Sequence, residues 1–159
     1  MPREHRTWIV MADNACARIV AYDNGRDEFR AVAGAFFENP TARLRVRDTG
    51  ADRPTRMFDS CGCGRHVIAP RGDWRQRNRI AFAEAIVSFV ESAARDRKFD
   101  HIMFVAPPAM LGPLRRVLGR VSLACEVAGI GKDLIKVPAA KLQVQLRRAI
   151  RSQQGLRPM

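Results

Sequence analysis

A glycine-rich stretch holds the side chains of this sequence that are best suited to chemistry. Gly62 and Gly64 allow a backbone to approach a ligand closely, because glycine has no side chain. Beside them, Arg65 and His66 could contact a phosphate or a base edge. His66 could instead serve as a general acid or base, but no nucleophile or paired base is identifiable near it. The stretch therefore favours binding over catalysis, and we predict no catalytic residue.

The same stretch offers three candidate metal ligands, Cys61, Cys63 and His66, in the order Cys-x-Cys-x-x-His. Structural zinc sites use four ligands and a wider cysteine spacing, and no fourth ligand is evident here. We therefore predict neither a metal nor a cofactor, and interpret the two cysteines as small loop residues. The other cysteines, Cys16 and Cys125, lie in apolar stretches and are predicted to be small core residues.

The charge of the chain points to a polyanionic partner. The formal net charge is +12, and of the 28 basic residues all but four are arginine. Arginine binds phosphate through two parallel hydrogen bonds and stacks on bases, which lysine does less well. Residues 41–79 hold ten arginines, four aspartates and no lysine or glutamate, so this segment carries a net +6, half of the surplus. We predict RNA or the ribosome as the partner, with an acidic protein as the alternative.

A long helix follows the basic segment, predicted over residues 75–95 with Asp73 as its N-cap. Arginines in its first turns lie at the positive end of the helix dipole, which is unfavourable unless an anion binds there. The predicted anion-binding residues are Arg56, Gly62, Gly64, Arg65, His66, Arg71, Arg75, Arg77 and Arg79.

Hydrophobic periodicity predicts the elements that position these residues. Alternating residues predict an antiparallel meander of three strands, with Gly34 as a possible bulge. The continuous apolar run at 99–106 predicts a central strand covered on both faces. The predicted strands are 7–12, 17–22, 29–37, 99–106 and 121–130, and the predicted helices are 75–95, 109–118 and 141–150.

This order predicts a single α/β domain over residues 1–152, with a mixed sheet and helices on both faces. A long basic loop is expected at about 39–73 and a frayed tail at 153–159. No apolar run approaches the ~20 residues of a membrane span, and the first residues lack a signal-peptide core. We therefore expect a cytoplasmic protein that does not insert into membranes.

Three stretches of the sequence resemble the bacterial host attachment protein family. They are TWIVMADNACARIVAY at 7–22, the stretch from RPTRMF to LRRVL at 53–118, and GKDLIKVPAAKL at 131–142. The layout is also similar, more distantly, to the central domain of eukaryotic and archaeal translation release factors and of Pelota. That resemblance implies a ribonuclease-H-like sheet and an association with the ribosome.

The release factors carry Gly-Gly-Gln in their loop and assist hydrolysis of peptidyl-tRNA. No Gly-Gly-Gln occurs in this chain, so the resemblance does not imply that activity here. Asp13 follows the first predicted strand, where ribonuclease-H-like nucleases hold a metal, and Asp59, Asp100 and Asp133 are conceivable partners. Asp13 is interpreted first as a turn residue. The predicted function is a non-catalytic polyanion-binding module; the alternatives are a metal-dependent nuclease, a hydrolase using His66, or a protein-interaction module in attachment to host cells.

Overall fold

Five strands and three α-helices make up the described parts of the chain, residues 6–43 and 73–153 of the computed structural model. They are β1 (Arg6–Ala12), β2 (Cys16–Asp23), β3 (Glu28–Glu38), a short 3-10 helix (Pro40–Arg43), α1 (Asp73–Arg95), β4 (His101–Ala106), α2 (Pro108–Leu118), β5 (Glu126–Gly131) and α3 (Ala139–Gln153). The strands form one mixed sheet in the order β3-β2-β1-β4-β5. The mixed-sheet α/β architecture is therefore confirmed.

The antiparallel half of the sheet is the predicted meander. β1 pairs with β2, and β2 pairs with β3, both antiparallel. The register between β2 and β3 shifts between Arg18 and Val20, opposite the part of β3 that contains Gly34. Gly34 has a φ of 71°, a conformation that glycine adopts without steric cost. The sheet therefore has an irregular register at the position where the sequence predicts a bulge, Gly34.

In the parallel half of the sheet, β4 lies between β1 and β5 and pairs in parallel with both. Residues 102–106 of β4 are all buried, as expected for a central strand. The predicted strand at 121–130 begins too early, because the structure starts β5 at Glu126. Glu126 pairs with His101, the first residue of β4, so residues 121–125 have no strand residue to pair with.

Helices cover both faces of the sheet, as predicted. α1 and α2 pack on one face around Trp8, whose ring centroid lies 4.9 Å from that of Phe99 and 6.2 Å from that of Phe89. α3 packs on the other face through Leu142 and Leu146. None of the helices in the described ranges is long and apolar enough to cross a membrane.

An ion pair fastens α3 to the turn between β2 and β3. The Nε of Arg147 donates to both carboxylate oxygens of Asp27, at 3.0 and 3.1 Å, and its Nη2 donates to the Asp27 carbonyl at 3.0 Å. The hydroxyl of Tyr22 also donates to Asp27, at 2.9 Å. Both hydrogen bonds lower the pKa of Asp27, and the one from Arg147 has the larger effect.

We predict that Arg147→Gln lowers the melting temperature at pH 7, and that its difference from wild type shrinks in acid. A carboxylate whose pKa is lowered on folding stabilises the fold above its unfolded pKa of about 3.9, and this contribution is lost as the pH falls through the folded pKa. Thermal unfolding followed by circular dichroism between pH 7 and pH 3 measures the difference. Arg148→Gln, an exposed neighbour on α3, is the control. A difference that stays constant with pH would contradict the assignment.

Candidate functional site

The carboxyl ends of four strands meet at one edge of the sheet, which we call the carboxyl edge. β1, β4 and β5 run parallel, and β3 points the same way because it and β1 are both antiparallel to β2. The 3-10 helix follows β3 at this edge and contacts α1. In open α/β sheets, ligands bind at the carboxyl ends of the strands. The described chain stops at Arg43 and resumes at Asp73, beside this edge.

A set of hydrogen-bonded groups, which we call the amide cluster, ties three distant segments together at this edge. It consists of the backbone carbonyl of Asn14 and the side chains of Asn39, Thr41 and Asn78. Asn39 is only 8% exposed, and its Nδ2 donates to the Asn14 carbonyl at 3.0 Å and to Asn78 Oδ1 at 2.8 Å. Its Oδ1 accepts from the Thr41 hydroxyl at 2.8 Å, and Asn78 Nδ2 also donates to that hydroxyl. The cluster therefore fixes where α1 begins relative to β1 and β3.

A cavity of about 310 Å³ opens beside the amide cluster. This volume is at the lower end for small-molecule sites. The guanidinium of Arg75 lies 5.9 Å from the centroid of the Trp74 ring. Two of the lining residues carry a buried polar atom, Asn14 Oδ1 and Trp74 Nε1, that has no hydrogen-bond partner among the described residues. The cavity is lined by Asn14, Asn39, Ala42, Trp74, Arg75, Asn78 and Arg79.

The positive charge at the cavity comes from the first two turns of α1. Arg75 is exposed and Arg79 is partly buried. Among the described side chains, no carboxylate lies within 4.0 Å of either guanidinium. The positive end of the helix dipole adds to this charge. The cavity can therefore accept an anion together with a group that forms hydrogen bonds to amides.

Most of the chain matches a known protein family. Residues 8–146 match the family model described as "Protein required for attachment to host cells". The chain belongs to this host attachment family. No curated protein matches the chain significantly.

The structure describes three of the predicted anion-binding residues. Arg75 and Arg79 of this family member line the cavity, whereas the exposed Arg77 does not. The other predicted residues remain predictions, because they lie outside the described residues: Arg56, Gly62, Gly64, Arg65, His66 and Arg71. The metal ligands considered at Cys61 and Cys63 lie outside them as well.

Among the described residues, the carboxylates considered for a nuclease do not form a group that could hold a metal. Asp13 Oδ1 accepts from the backbone N–H groups of Ala15 and Cys16 at 2.7 and 2.8 Å, so its predicted turn role is confirmed. Asp100 contacts Arg6 at the opposite edge of the sheet. Within residues 6–43 and 73–153, no three histidine, cysteine or acidic residues are grouped to hold a metal. Asp59 lies outside the described residues.

Asp133, the last carboxylate considered, pairs instead with Lys136. Its Oδ2 lies 3.0 Å from the Lys136 ammonium. The hydrogen bond to Asp133 raises the pKa of Lys136. One oxygen of the Asp133 carboxylate is therefore already paired with the ammonium group of Lys136.

The two cysteines predicted to be small core residues are each half-buried. Cys125 packs against the α1 and α2 side of the core. Burial raises the pKa of its thiol, so Cys125 stays protonated near neutral pH.

The sequence alone does not predict the amide cluster or the position of Trp74. By its local context Asn14 belongs to a turn, and Asn39 begins a connector. One local signal exists for Asn78, because asparagine is a poor helix former and stands here in the second turn of α1. Nothing local shows that the three asparagines meet.

Proposed function

We propose that this member of the host attachment family binds a polyanion, most simply RNA on its own or in the ribosome, at the carboxyl edge. The observation that carries the proposal is the pair of arginines, Arg75 and Arg79, that line a cavity with no described carboxylate beside them. Guanidinium groups placed in this way match phosphate oxygens. The net charge of +12 adds long-range attraction to a polyanion.

The release-factor resemblance remains part of this proposal. What supports it is the layout of the sheet, an antiparallel meander followed by two parallel strands, with a long helix entering at the carboxyl edge. A ribonuclease-H-like sheet of this kind would present the start of α1 to RNA at the carboxyl edge.

Binding is preferred to catalysis because of the groups in the cavity wall. The described lining offers amide, indole and guanidinium groups, and none of these is a general base at neutral pH. A nuclease would also need grouped carboxylates, and the described residues contain no group of three or more acidic, histidine or cysteine side chains that could hold a metal.

The family description favours a second candidate, a protein-interaction role in attachment to host cells. An acidic protein surface would pair with the same arginines through carboxylates. The two candidates differ in the partner, so a competition between polyanions separates them.

The test measures binding of the full chain to a structured RNA between 50 and 200 mM salt, with polyglutamate as a competitor. We expect the logarithm of the binding constant to fall linearly with the logarithm of salt, by about 0.7 to 0.9 for each phosphate contact. Absence of salt-sensitive RNA binding would overturn the RNA proposal. Tighter binding to polyglutamate than to RNA would favour the acidic protein partner.

A further inference from the structure

We propose that the cavity at the carboxyl edge holds one unstacked nucleobase of a single-stranded RNA. The inference rests on the proposed function and deepens it, because it assigns a base-binding role beside the phosphate-binding arginines. Three features support it: the polar atoms of the cavity wall, its aromatic ring and its size.

Two residues that line the cavity each carry one unused polar atom, an acceptor in Asn14 and a donor in Trp74. Within the described part of the chain, Asn14 Oδ1 is buried without a hydrogen bond, and so is the indole N–H of Trp74. Burying a polar atom without a partner is unfavourable, so a ligand that supplies both partners is stabilised there. Because both side chains are partly exposed and line the cavity, we expect a small rotation of either to present its unpaired atom to the ligand.

The chemistry of these two atoms selects among ligands. A phosphate or a carboxylate accepts hydrogen bonds at neutral pH but does not donate, so it would leave Asn14 Oδ1 unpaired. The edge of a nucleobase presents a donor and an acceptor side by side, which matches both atoms. The Trp74 ring and the Arg75 guanidinium, 5.9 Å apart, are both groups on which bases stack.

The position of the arginines completes the match to a nucleotide. Arg75 and Arg79 lie in the same wall as the amides, so a base in the cavity would leave its phosphate beside a guanidinium. A cavity of about 310 Å³ suits one nucleobase and is too small for a double helix. The base must therefore leave its stack, which single strands and loops allow and duplexes resist.

Two variants remove the proposed contacts while preserving the amide cluster. Asn14→Ala deletes the unpaired oxygen but keeps the backbone carbonyl that accepts from Asn39. Trp74→Leu deletes the indole. Asn24→Ala, an exposed asparagine near α3, is the matched control. Thermal melts of all three establish that each variant is folded.

The experiment compares a twelve-nucleotide single-stranded RNA with an abasic ribose-phosphate oligomer of the same length and charge, using the full chain. We expect wild type to bind the RNA about tenfold tighter or more. We expect Asn14→Ala and Trp74→Leu to shrink that preference and leave the affinity for the abasic oligomer unchanged. Asn24→Ala should change neither affinity.

The outcomes separate the two proposals. Equal, salt-sensitive binding of both oligomers by wild type overturns the base pocket and leaves the polyanion function standing. Binding of neither oligomer overturns both. A preference for RNA that survives in folded Asn14→Ala and in folded Trp74→Leu places base recognition elsewhere and also overturns the base pocket.

Discussion

Replacing Arg75, Arg77 and Arg79 with glutamine is expected to weaken RNA binding by up to about a thousandfold at 50 mM salt. When an arginine binds a phosphate, one counterion is released, and at this salt concentration the release raises the binding constant by about a factor of ten. Each arginine that is replaced loses this contribution. The slope of binding against salt should fall by about 0.7 to 0.9 for each such arginine. Fluorescence anisotropy of a labelled RNA, measured from 50 to 200 mM salt, gives both quantities.

The fold should survive this triple substitution. Arg75 and Arg77 are exposed, and farther along the helix Ile86, Val87 and Val90 hold α1 in the core. The matched control removes the same charge elsewhere through Arg26→Gln, Arg116→Gln and Arg148→Gln, three exposed positions on three other elements or turns. If both triple variants lose affinity equally, attraction to the net charge explains the binding and the carboxyl edge is not its site.

Most of the architecture could be predicted because it follows from local periodicity. The stripe that includes Ala83, Val87 and Val90 predicts the buried side of α1, and the structure buries all three. The run at 99–106 predicts a central strand because no polar residue interrupts residues 102–106. The start of β5 could not be predicted, because it depends on where β4 begins rather than on the composition of 121–130.

The candidate site could be predicted only in part, because some of its residues carry a local signal and others meet only in the folded protein. Arginines crowded at the start of α1 are a local signal, and two of the three line the cavity. The amide cluster joins Asn39 to Asn14, which is 25 positions earlier in the sequence, and to Asn78, which is 39 positions later. Asparagine is common in turns, so each of these residues has a sufficient local explanation that conceals its tertiary role.

Asn39→Ala is expected to lower the free energy of unfolding by about 2 to 3 kcal/mol. Asn39 is 8% exposed, and its side chain makes three hydrogen bonds that alanine cannot replace. The substitution leaves the Asn14 carbonyl and Asn78 Oδ1 without their donor, and each buried unpaired group costs about 1 to 3 kcal/mol. Urea unfolding followed by circular dichroism measures the loss, and Asn24→Ala, exposed in a turn, should change stability by less than about 0.5 kcal/mol.

The same variant separates geometry from charge at the carboxyl edge. Asn39→Ala leaves the net charge unchanged, but it removes the hydrogen bonds from Asn39 to Asn78 of α1 and to the turn after β1. If RNA binding depends on how Arg75 and Arg79 are held around the cavity, affinity should fall while the salt slope stays close to that of wild type. If folded Asn39→Ala binds RNA as tightly as wild type, the arginines act as independent charges and the amide cluster has only a structural role. An unfolding free energy equal to that of wild type would contradict the structural role as well.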